Sequence, residues 1–583
     1  MQPVDVTTLK AICAELRSQW LPAKFEQAYQ RDRFTVMIAL RTLKKRGWLT
    51  VSWHPQAARL HIGDAPPRSP DTFTFSQQLR HQIGNLALVA IEPVSPWERA
   101  IDLQFANRPG ETALWHLYIE IIGKYSNAIL ANRDNLIVTA AHQVSSTQSS
   151  VRPIQTGQLY EVPPALNDPA PSLSESFDRW RSRVALVPGA IRRNLIKPYR
   201  GLSSALVLSM LQVTQIDPER STEALSDSDW QRLFECWQSW LTKLESEKFD
   251  PGFTAQGYTV LGWGVTQPAK SVQEVVDRYY RDQLNQQEFN QLRHQIAQKL
   301  NNLLGKLRTK ANGFESRLDR SDQADESKRQ ADLLMANLHL WQPGFKSIEL
   351  ADFETGQPVT IALDPEKNAV VNAQALYKQH QKLKRTRAAI EPLLSAVQEE
   401  IAYLEQVESS LTQFEDYKTP DDLEALEEVR DELVQQGYLE DSEYRRAIVK
   451  TDSETQPYRY KSPSGFEVLV GRNNRQNDVL TFRSATEYDL WFHSQEIPGS
   501  HILLRLEPGT KPDEKDLAFT ADLAAYHSRA RQSEQVPVVY TEPKSVYKPK
   551  GAKPGTVIYK NERVLWGQPQ RTKNYLAANA KEN

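Results

Sequence analysis

Two apolar heptad runs on either side of a short non-helical insert constrain this chain more than any other feature. The first sets Phe289, Leu292, Ile296, Leu300, Leu303, Leu307, Phe314 and Leu318 at steps of three and four, with one skip of seven. The second repeats the pattern with Ile390, Leu394, Val397, Ile401, Leu404, Leu411 and Phe414. Stripes this narrow, separated by Gln, Lys, Arg and Glu, are coiled-coil seams, whereas a helix packed on a globular body shows a wider apolar face. Between the runs, Trp341, Phe345, Ile348, Leu350, Phe353, Val359, Ile361 and Leu363 precede Asp364-Pro365 and predict a small strand-rich tip. The expected geometry is an antiparallel hairpin arm. With about thirty residues per helix at 1.5 Å each, it would project roughly 45 Å.

At 583 residues the chain has material for three to five domains, each with its own core. No apolar run reaches membrane-spanning length, and the opening MQPVDVTTLKAICAEL has an acid and polar residues where a signal peptide needs a basic start. A cytoplasmic protein without membrane partners is expected. Cys13 and Cys236, the two cysteines, lie far apart in helical contexts, which leaves neither a disulfide framework nor a metal knuckle. The net charge of −2 conceals a division: residues 415–443 hold twelve acids against Lys418 and Arg430, a local −10 that leaves +8 elsewhere. The surplus gathers at the end, where residues 541–583 set nine Lys/Arg against three acids. That asymmetry points to a polyanionic partner.

Taken in order, residues 4–16 predict an amphipathic helix, followed by alternating runs in RFTVMIALRT and GWLTVSWHPQAARLHIG and at 88–91, 100–105, 115–122, 128–131 and 136–139. These read as antiparallel strands of a sandwich or barrel-like domain. His54, His61 and His142 show no metal-ligand rhythm. Two clusters stand out: the turn Gly123-Lys124-Tyr125-Ser126-Asn127, and Glu98-Arg99, where a guanidinium can take a phosphate while the adjacent carboxylate orients it. A proline-rich linker at 163–171 leads to short helices at 177–187, 190–195, 202–212 and 230–244. The junction Tyr199-Arg200-Gly201-Leu202-Ser203 is a glycine turn of the kind that offers N–H groups to phosphate.

The final region holds the strand 466–470, the polar loop 471–477, Asp489-Leu490-Trp491-Phe492-His493, Pro498-Gly499-Ser500-His501 and an Ala-rich helix over 518–531. A basic loop then runs from Lys544 to Gly555. Asp489, Ser500 and the histidines contain the residue types of a triad, yet no strand-to-helix elbow surrounds Ser500, so no catalytic site is assigned. In the basic loop Pro549 and Pro554 exclude helix, Gly551 and Gly555 allow close backbone approach, and Lys544, Lys548, Lys550 and Lys553 supply charge without a Walker spacing. Such a loop suits a phosphate backbone. Tyr547 and Tyr559 interleave with its cations.

DLWFHSQEIPGSHILLR followed by YKPKGAKPGTVIY resembles the C-terminal domain of the NFACT family. HPQAARLHI, GKYSNAIL and SSVRPIQTGQLYEVPP resemble its N-terminal domain, and Leu333-Leu334-Met335-Ala336-Asn337 and Leu363-Asp364-Pro365 its coiled-coil segment. The resemblance implies a multidomain α+β chain in four parts. These are a β-rich NFACT-N domain at 1–172 with a formamidopyrimidine-DNA glycosylase-like fold, a helix-hairpin-helix-like domain at 173–265, a coiled-coil arm with a strand-rich tip at 266–445, and an α/β NFACT-R RNA-binding domain at 446–583. It implies a ribosome quality-control factor whose partners are the large ribosomal subunit, its stalled nascent-chain peptidyl-tRNA and an incoming tRNA. Such a factor supports template-free C-terminal alanine tailing, with the ribosome making the bond and no cofactor required. The family's acid-arginine pair falls at Glu98-Arg99, a Glu where the family has Asp, and with Lys124 and Asn127 it is expected to serve tRNA. His493, Arg505, Lys544, Lys548, Lys550 and Lys553 are expected to bind RNA. A surface adhesin and a base-repair glycosylase are the alternatives; against the latter, the proline-glutamate start of those enzymes is missing.

Overall fold

The computed structural model describes the chain except residues 67–69, 146, 150–151, 165–167, 322, 441–454 and 580–583. It divides into two compact units, Met1–Asn285 and Gln286–Asn583.

The first unit opens with α1 (Val6–Trp20), capped by Asp5, whose carboxylate accepts from Thr8 N at 2.8 Å. Nine strands follow, β1 (Ala23–Asp32), β2 (Thr35–Arg41), β3 (Arg46–Ser52), β4 (Arg59–Gly63), β5 (Ala87–Pro93), β6 (Ala100–Ala106), β7 (Trp115–Glu120), β8 (Asn127–Asn132) and β9 (Ile137–Ala140), with α2 (Thr74–Ile83) before β5. They form one antiparallel sheet in the order β4-β3-β2-β1-β5-β6-β7-β8-β9. Two meanders meet where Ala23 and Lys24 of β1 pair with Leu88 and Ala87 and Phe25 N donates to Leu86 O at 2.8 Å. The joining strand is the one that alternation does not reveal, because a bulge between Phe25 and Gln27 breaks the two-residue period. Phe25 of one meander stands edge-on to Phe105 of the other, 6.3 Å between centroids, in the shared core.

The helices α3 (Phe177–Val184), α4 (Ile191–Ile196), α5 (Ser204–Val213) and α6 (Asp227–Ser246) surround an aromatic knot of Trp180, Trp230, Trp237 and Trp240, all fully buried. Trp240 Nε1 donates to Thr7 Oγ1 at 3.0 Å, which ties this knot to α1. Short strands β10 (Gly252–Thr254), β11 (Gly257–Thr259) and β12 (Gln267–Pro268) then lead into α7 (Val272–Ser321), 50 residues long, whose Val272, Val275, Val276 and Tyr280 complete this unit's core.

In the second unit, α7 runs antiparallel to α9 (Ala369–Gln413, 45 residues), with Arg308 2.6 Å from Glu405 and Gln398 3.4 Å from Glu315. The helices therefore exceed the expected thirty residues. Between them stand α8 (Ala324–Ala336) and the hairpin of β13 (Ser347–Ala351) and β14 (Pro358–Ala362). Ile348, Leu350, Ile361 and Leu363 pack on Leu333 and Leu334, whereas Phe353, counted among the tip's apolar residues, lies beyond the end of β13 and is 66% exposed. The acidic stretch forms α10 (Pro420–Gln435), which packs Leu423, Leu426, Val429 and Leu433 on α7 and α9. This third helix widens the apolar face at that end, so that Leu304 is buried while Leu303 is only half-buried. The narrow two-helix seam expected there is replaced by a three-helix core.

The remaining residues build a six-stranded sheet from β15 (Tyr458–Lys461), β16 (Glu467–Val470), β17 (Leu490–Ser494), β18 (Ile502–Leu504), β19 (Val536–Thr541) and β22 (Arg563–Gly567), in the order β15-β16-β18-β17-β19-β22. Every pairing is antiparallel. α11 (Asn474–Val479) occupies part of the expected polar loop. α12 (Glu514–Tyr526) covers one face with Ala521, Leu523, Ala524 and Ala525. On the other face Trp491, Val539 and Val546 pack beneath the ribbon of β20 (Val546–Tyr547) and β21 (Ile558–Tyr559). α13 (Pro569–Asn579) ends the described chain. No helix among the described residues is long and apolar enough to cross a membrane.

Candidate nucleic-acid interface

In the first unit the register Ala100↔Glu120 sets the turn before β6 beside the turn after β7, at one end of the sheet. The former is pinned by Trp97, held at φ +63°, with its ring 5.6 Å from Trp240 and Lys10 Nζ 4.6 Å above it. Gly201, at φ +82°, lets the Tyr199–Ser203 turn press against this indole, since a Cβ there would come 2.8 Å from Trp97 Cε3. Glu98 N donates to Ser95 O at 3.3 Å and Arg99 O accepts from Ile121 N at 2.8 Å, so the main chain of the pair is fixed. Their side chains are not. Glu98 Oε1 is buried without a hydrogen-bond partner, and the Arg99 guanidinium makes no ion pair among the described residues. The expected carboxylate brace on Arg99 is absent among the described residues. Arg200 Nε, in the adjoining turn, is a further buried donor without a partner. Only the tertiary contact through Gly201 brings it here, and the sequence signal for it was the lone glycine turn.

Lys124 is exposed, its Nζ 5.0 Å from the centroid of the exposed Tyr125. Asn127 does not meet its expectation as an RNA contact. It is 2% exposed, its Nδ2 donates to His142 O at 2.7 Å, and its Oδ1 accepts from His142 N and Ala128 N, both at 2.9 Å. It staples the end of β8, because a strand that starts at a turn leaves main-chain groups that an amide side chain can satisfy.

Among the candidates of the second unit, burial reassigns several. His493, His501 and His527 have their pKa values pushed down by burial, to about 4, about 3 and about 3. All three are neutral near pH 7 and offer no charge to phosphate. Arg505 donates to Ser484 O at 2.6 Å and lies 3.3 Å from Asp489, so it braces β18 to the preceding loop. Lys548 pairs with Asp478, and Lys544 with Glu542 at 2.6 Å. Lys553 donates to Tyr438 OH and sits 4.5 Å and 4.8 Å from the ring centroids of Tyr403 and Tyr438, a cation–π cage formed by α9 and the turn after α10. It anchors the basic loop rather than presenting charge. Lys550 is exposed and makes no ion pair among the described residues. Ser500 Oγ donates to Gly471 O at 2.6 Å while Asp489 accepts from Thr486 N and Leu506 N, so no triad assembles.

The polar loop beginning at Gly471 takes a role that its sequence did not suggest. Arg472 reaches Asp422 at 2.5 Å, Asn473 Nδ2 donates to Glu428 at 2.6 Å and Asn474 Nδ2 to Glu432 at 2.9 Å. The carboxylates of α10 thus clamp the C-terminal sheet domain, and Glu432, desolvated between Tyr403 and Asn474, has its pKa raised.

The family model described as NFACT N-terminal and middle domains matches residues 5–451, and that described as NFACT protein RNA binding domain matches residues 456–561. A relative from Bacillus subtilis named Rqc2 homolog RqcH is 28% identical over 95% of this chain and 96% of its own. One of the same name from Streptococcus suis is 28% identical over 97% and 98%. The C-terminal structure of the fibronectin/fibrinogen-binding protein from Streptococcus suis aligns with a TM-score of 0.36 at 30% identity, covering 48% of this chain and 95% of that one. Its N-terminal counterpart gives 0.38 at 20% identity, covering 48% and 99%. With a single family model spanning most of its length, the chain belongs to the NFACT family.

Proposed function

We propose that this protein is a ribosome quality-control factor that binds the large subunit carrying a stalled peptidyl-tRNA, engages an incoming alanyl-tRNA and supports template-free C-terminal tailing, the ribosome forming each bond. The observation that carries this reading is the near end-to-end similarity to the two RqcH relatives, together with an RNA-binding domain match at 456–561. Within it, the four parts at 1–172, 173–265, 266–445 and 446–583 divide the work. Glu98, Arg99 and Lys124, with Arg200 alongside, face tRNA; the arm reaches the subunit; and Lys550 meets an RNA phosphate backbone. The open Glu98 Oε1 and Arg200 Nε support the first assignment, since buried polar groups left without a partner in a fold are groups that a ligand can complete.

The test is to isolate large subunits from cells making tagged protein, then measure copurifying tRNA and the tail on the nascent chain. The reading requires cosedimentation with subunits, enrichment of an alanine-accepting tRNA and an alanine-rich tail that depends on the protein. Absence of subunit cosedimentation would overturn it.

A further inference from the structure

Between α9 and the 549–559 loop the second unit contains a cavity of about 860 Å³, within the size range of small-ligand sites. His493, His501 and Tyr559 line one side, and Ala402, Glu399 and Glu400 line the other. His501 is 1% exposed, and its Nδ1 lies 2.7 Å from Thr481 Oγ1 and 3.2 Å from Asn477 O. Its Nε2 is buried with no hydrogen-bond partner; the Gly555 main chain faces it without reaching hydrogen-bond geometry. A buried polar atom left open in this way costs roughly 1–3 kcal/mol, so a native fold keeps one where something else supplies the bond.

The surroundings restrict what can supply that bond. Flat rings border the site: His493, His501 and Tyr559 line it, and His493 stands edge-on to His501 at 5.4 Å, with the buried Trp491 behind them 5.8 Å from both His493 and Tyr559. Charges line both walls, with Glu496 beside His493 on the sheet side. The exposed Lys550 belongs to the loop side, while Glu399 and Glu400 belong to the helix side, Glu400 accepting from Tyr438 OH at 3.1 Å. A ligand suited to this arrangement is planar, carries an anion toward the loop and turns N–H donors toward the carboxylates. A nucleotide whose base bears an exocyclic amine has all three properties, whereas uracil offers carboxylates a single N–H.

We propose that this cavity receives an extruded nucleobase of single-stranded RNA, stacked near Tyr559 with its amine toward Glu399 and its phosphate at Lys550, and that it favours amino-bearing bases over uracil. The assignment rests on the RNA-binding reading above and names one specific contact within it.

The experiment uses the full chain and two probes: ribonucleoside 5′-monophosphates in equilibrium dialysis, and ten-nucleotide RNAs in fluorescence anisotropy. Wild type should bind CMP saturably and UMP about 10-fold more weakly, the equivalent of about 1.4 kcal/mol. Ala402→Trp fills the cavity from an exposed helix position. It should abolish CMP binding and weaken oligo(rC) about 10-fold while lowering the salt slope of RNA binding by no more than about the one unit that the Lys550 contact carries, since phosphate contacts elsewhere persist. Glu399→Gln, also at an exposed position, should erase the preference for CMP over UMP without altering the melting temperature. CMP binding by Ala402→Trp at the wild-type level, or equal affinities for CMP and UMP, would overturn the proposal. If wild type binds RNA but no nucleotide saturably, the cavity assignment alone fails; if it binds neither RNA nor subunits, the functional reading fails with it.

Discussion

Arg99 and Glu98 are fixed in their main chain and open in their side chains, so substitutions there should alter ligand use without altering folding. Arg99→Ala should lower copurifying tRNA and tail length about 10-fold, the loss of one charge-assisted contact, while subunit cosedimentation stays at the wild-type level. Loss of cosedimentation ahead of tRNA would break that division of roles. Of the loop lysines, Lys550→Gln should weaken RNA binding for all sequences alike and reduce the salt slope by roughly one unit. Lys553→Gln should instead lower the melting temperature, since it empties an aromatic cage. The histidines set a pH dependence whose sign follows from their depressed pKa values. Below the ordinary value of 6.5 the unfolded chain takes up protons that His493, His501 and His527 refuse until about pH 4 to 3, so stability falls as pH drops through that window and is unaffected above it. Each neutral imidazole contributes about 1.4 kcal/mol per pH unit to this loss. Thermal melts between pH 7.5 and 5.5 should show the decline, and His527→Asn should make it shallower.

The acidic α10 illustrates how an element's role depends on what meets it. Its amphipathic stripe buries Leu423, Leu426, Val429 and Leu433 against the arm helices, while Asp422, Glu428 and Glu432 hold the loop from Arg472 to Asn474. The Arg472 side chain is only 4% exposed, and it also stacks 4.6 Å from the Tyr458 ring centroid. Removing one partner of a buried pair strands the other, at a cost of about 3–5 kcal/mol. Asp422→Ala should therefore lower the melting temperature of the second unit, whereas Asp421→Ala, at an exposed neighbour, should not. Equal melting of the two variants would show that the clamp contributes nothing. The charge run was visible in the sequence, but its partners were not, because Arg472 to Asn474 lie some fifty residues away in an unremarkable polar loop.

At the scale of the molecule, α7 and α9 are 50 and 45 residues long, and the Arg308–Glu405 and Gln398–Glu315 contacts fix their mutual register. Excision of residues 316–397 with a short glycine-rich turn joining Glu315 to Gln398 keeps that register. It also spares the core of Phe289, Leu292, Ile296, Leu300, Leu404 and Leu411. The shortened protein should fold and melt as a cooperative species while its cosedimentation with large subunits drops several-fold. Retained cosedimentation would remove the arm from subunit attachment.

What the sequence determined by itself were the properties carried by local period: the paired heptads, the alternating strands of the N-terminal sheet, the hairpin between the long helices and the cations of the basic loop. These were legible because each depends on residues a few positions apart. Tertiary structure alone decided which polar side chains remain available. Asn127, Arg505, Lys548 and Lys553 have the residue types of RNA contacts and are spent on main chain, carboxylates or aromatic rings from elsewhere in the chain. Lys550, in the same loop, stays open. The partners come from sequence separations that no pattern encodes, as with Lys553 and Tyr438 at 115 residues. Local periodicity specifies which surfaces must be buried, and only the packing of those surfaces settles which charges are left facing water.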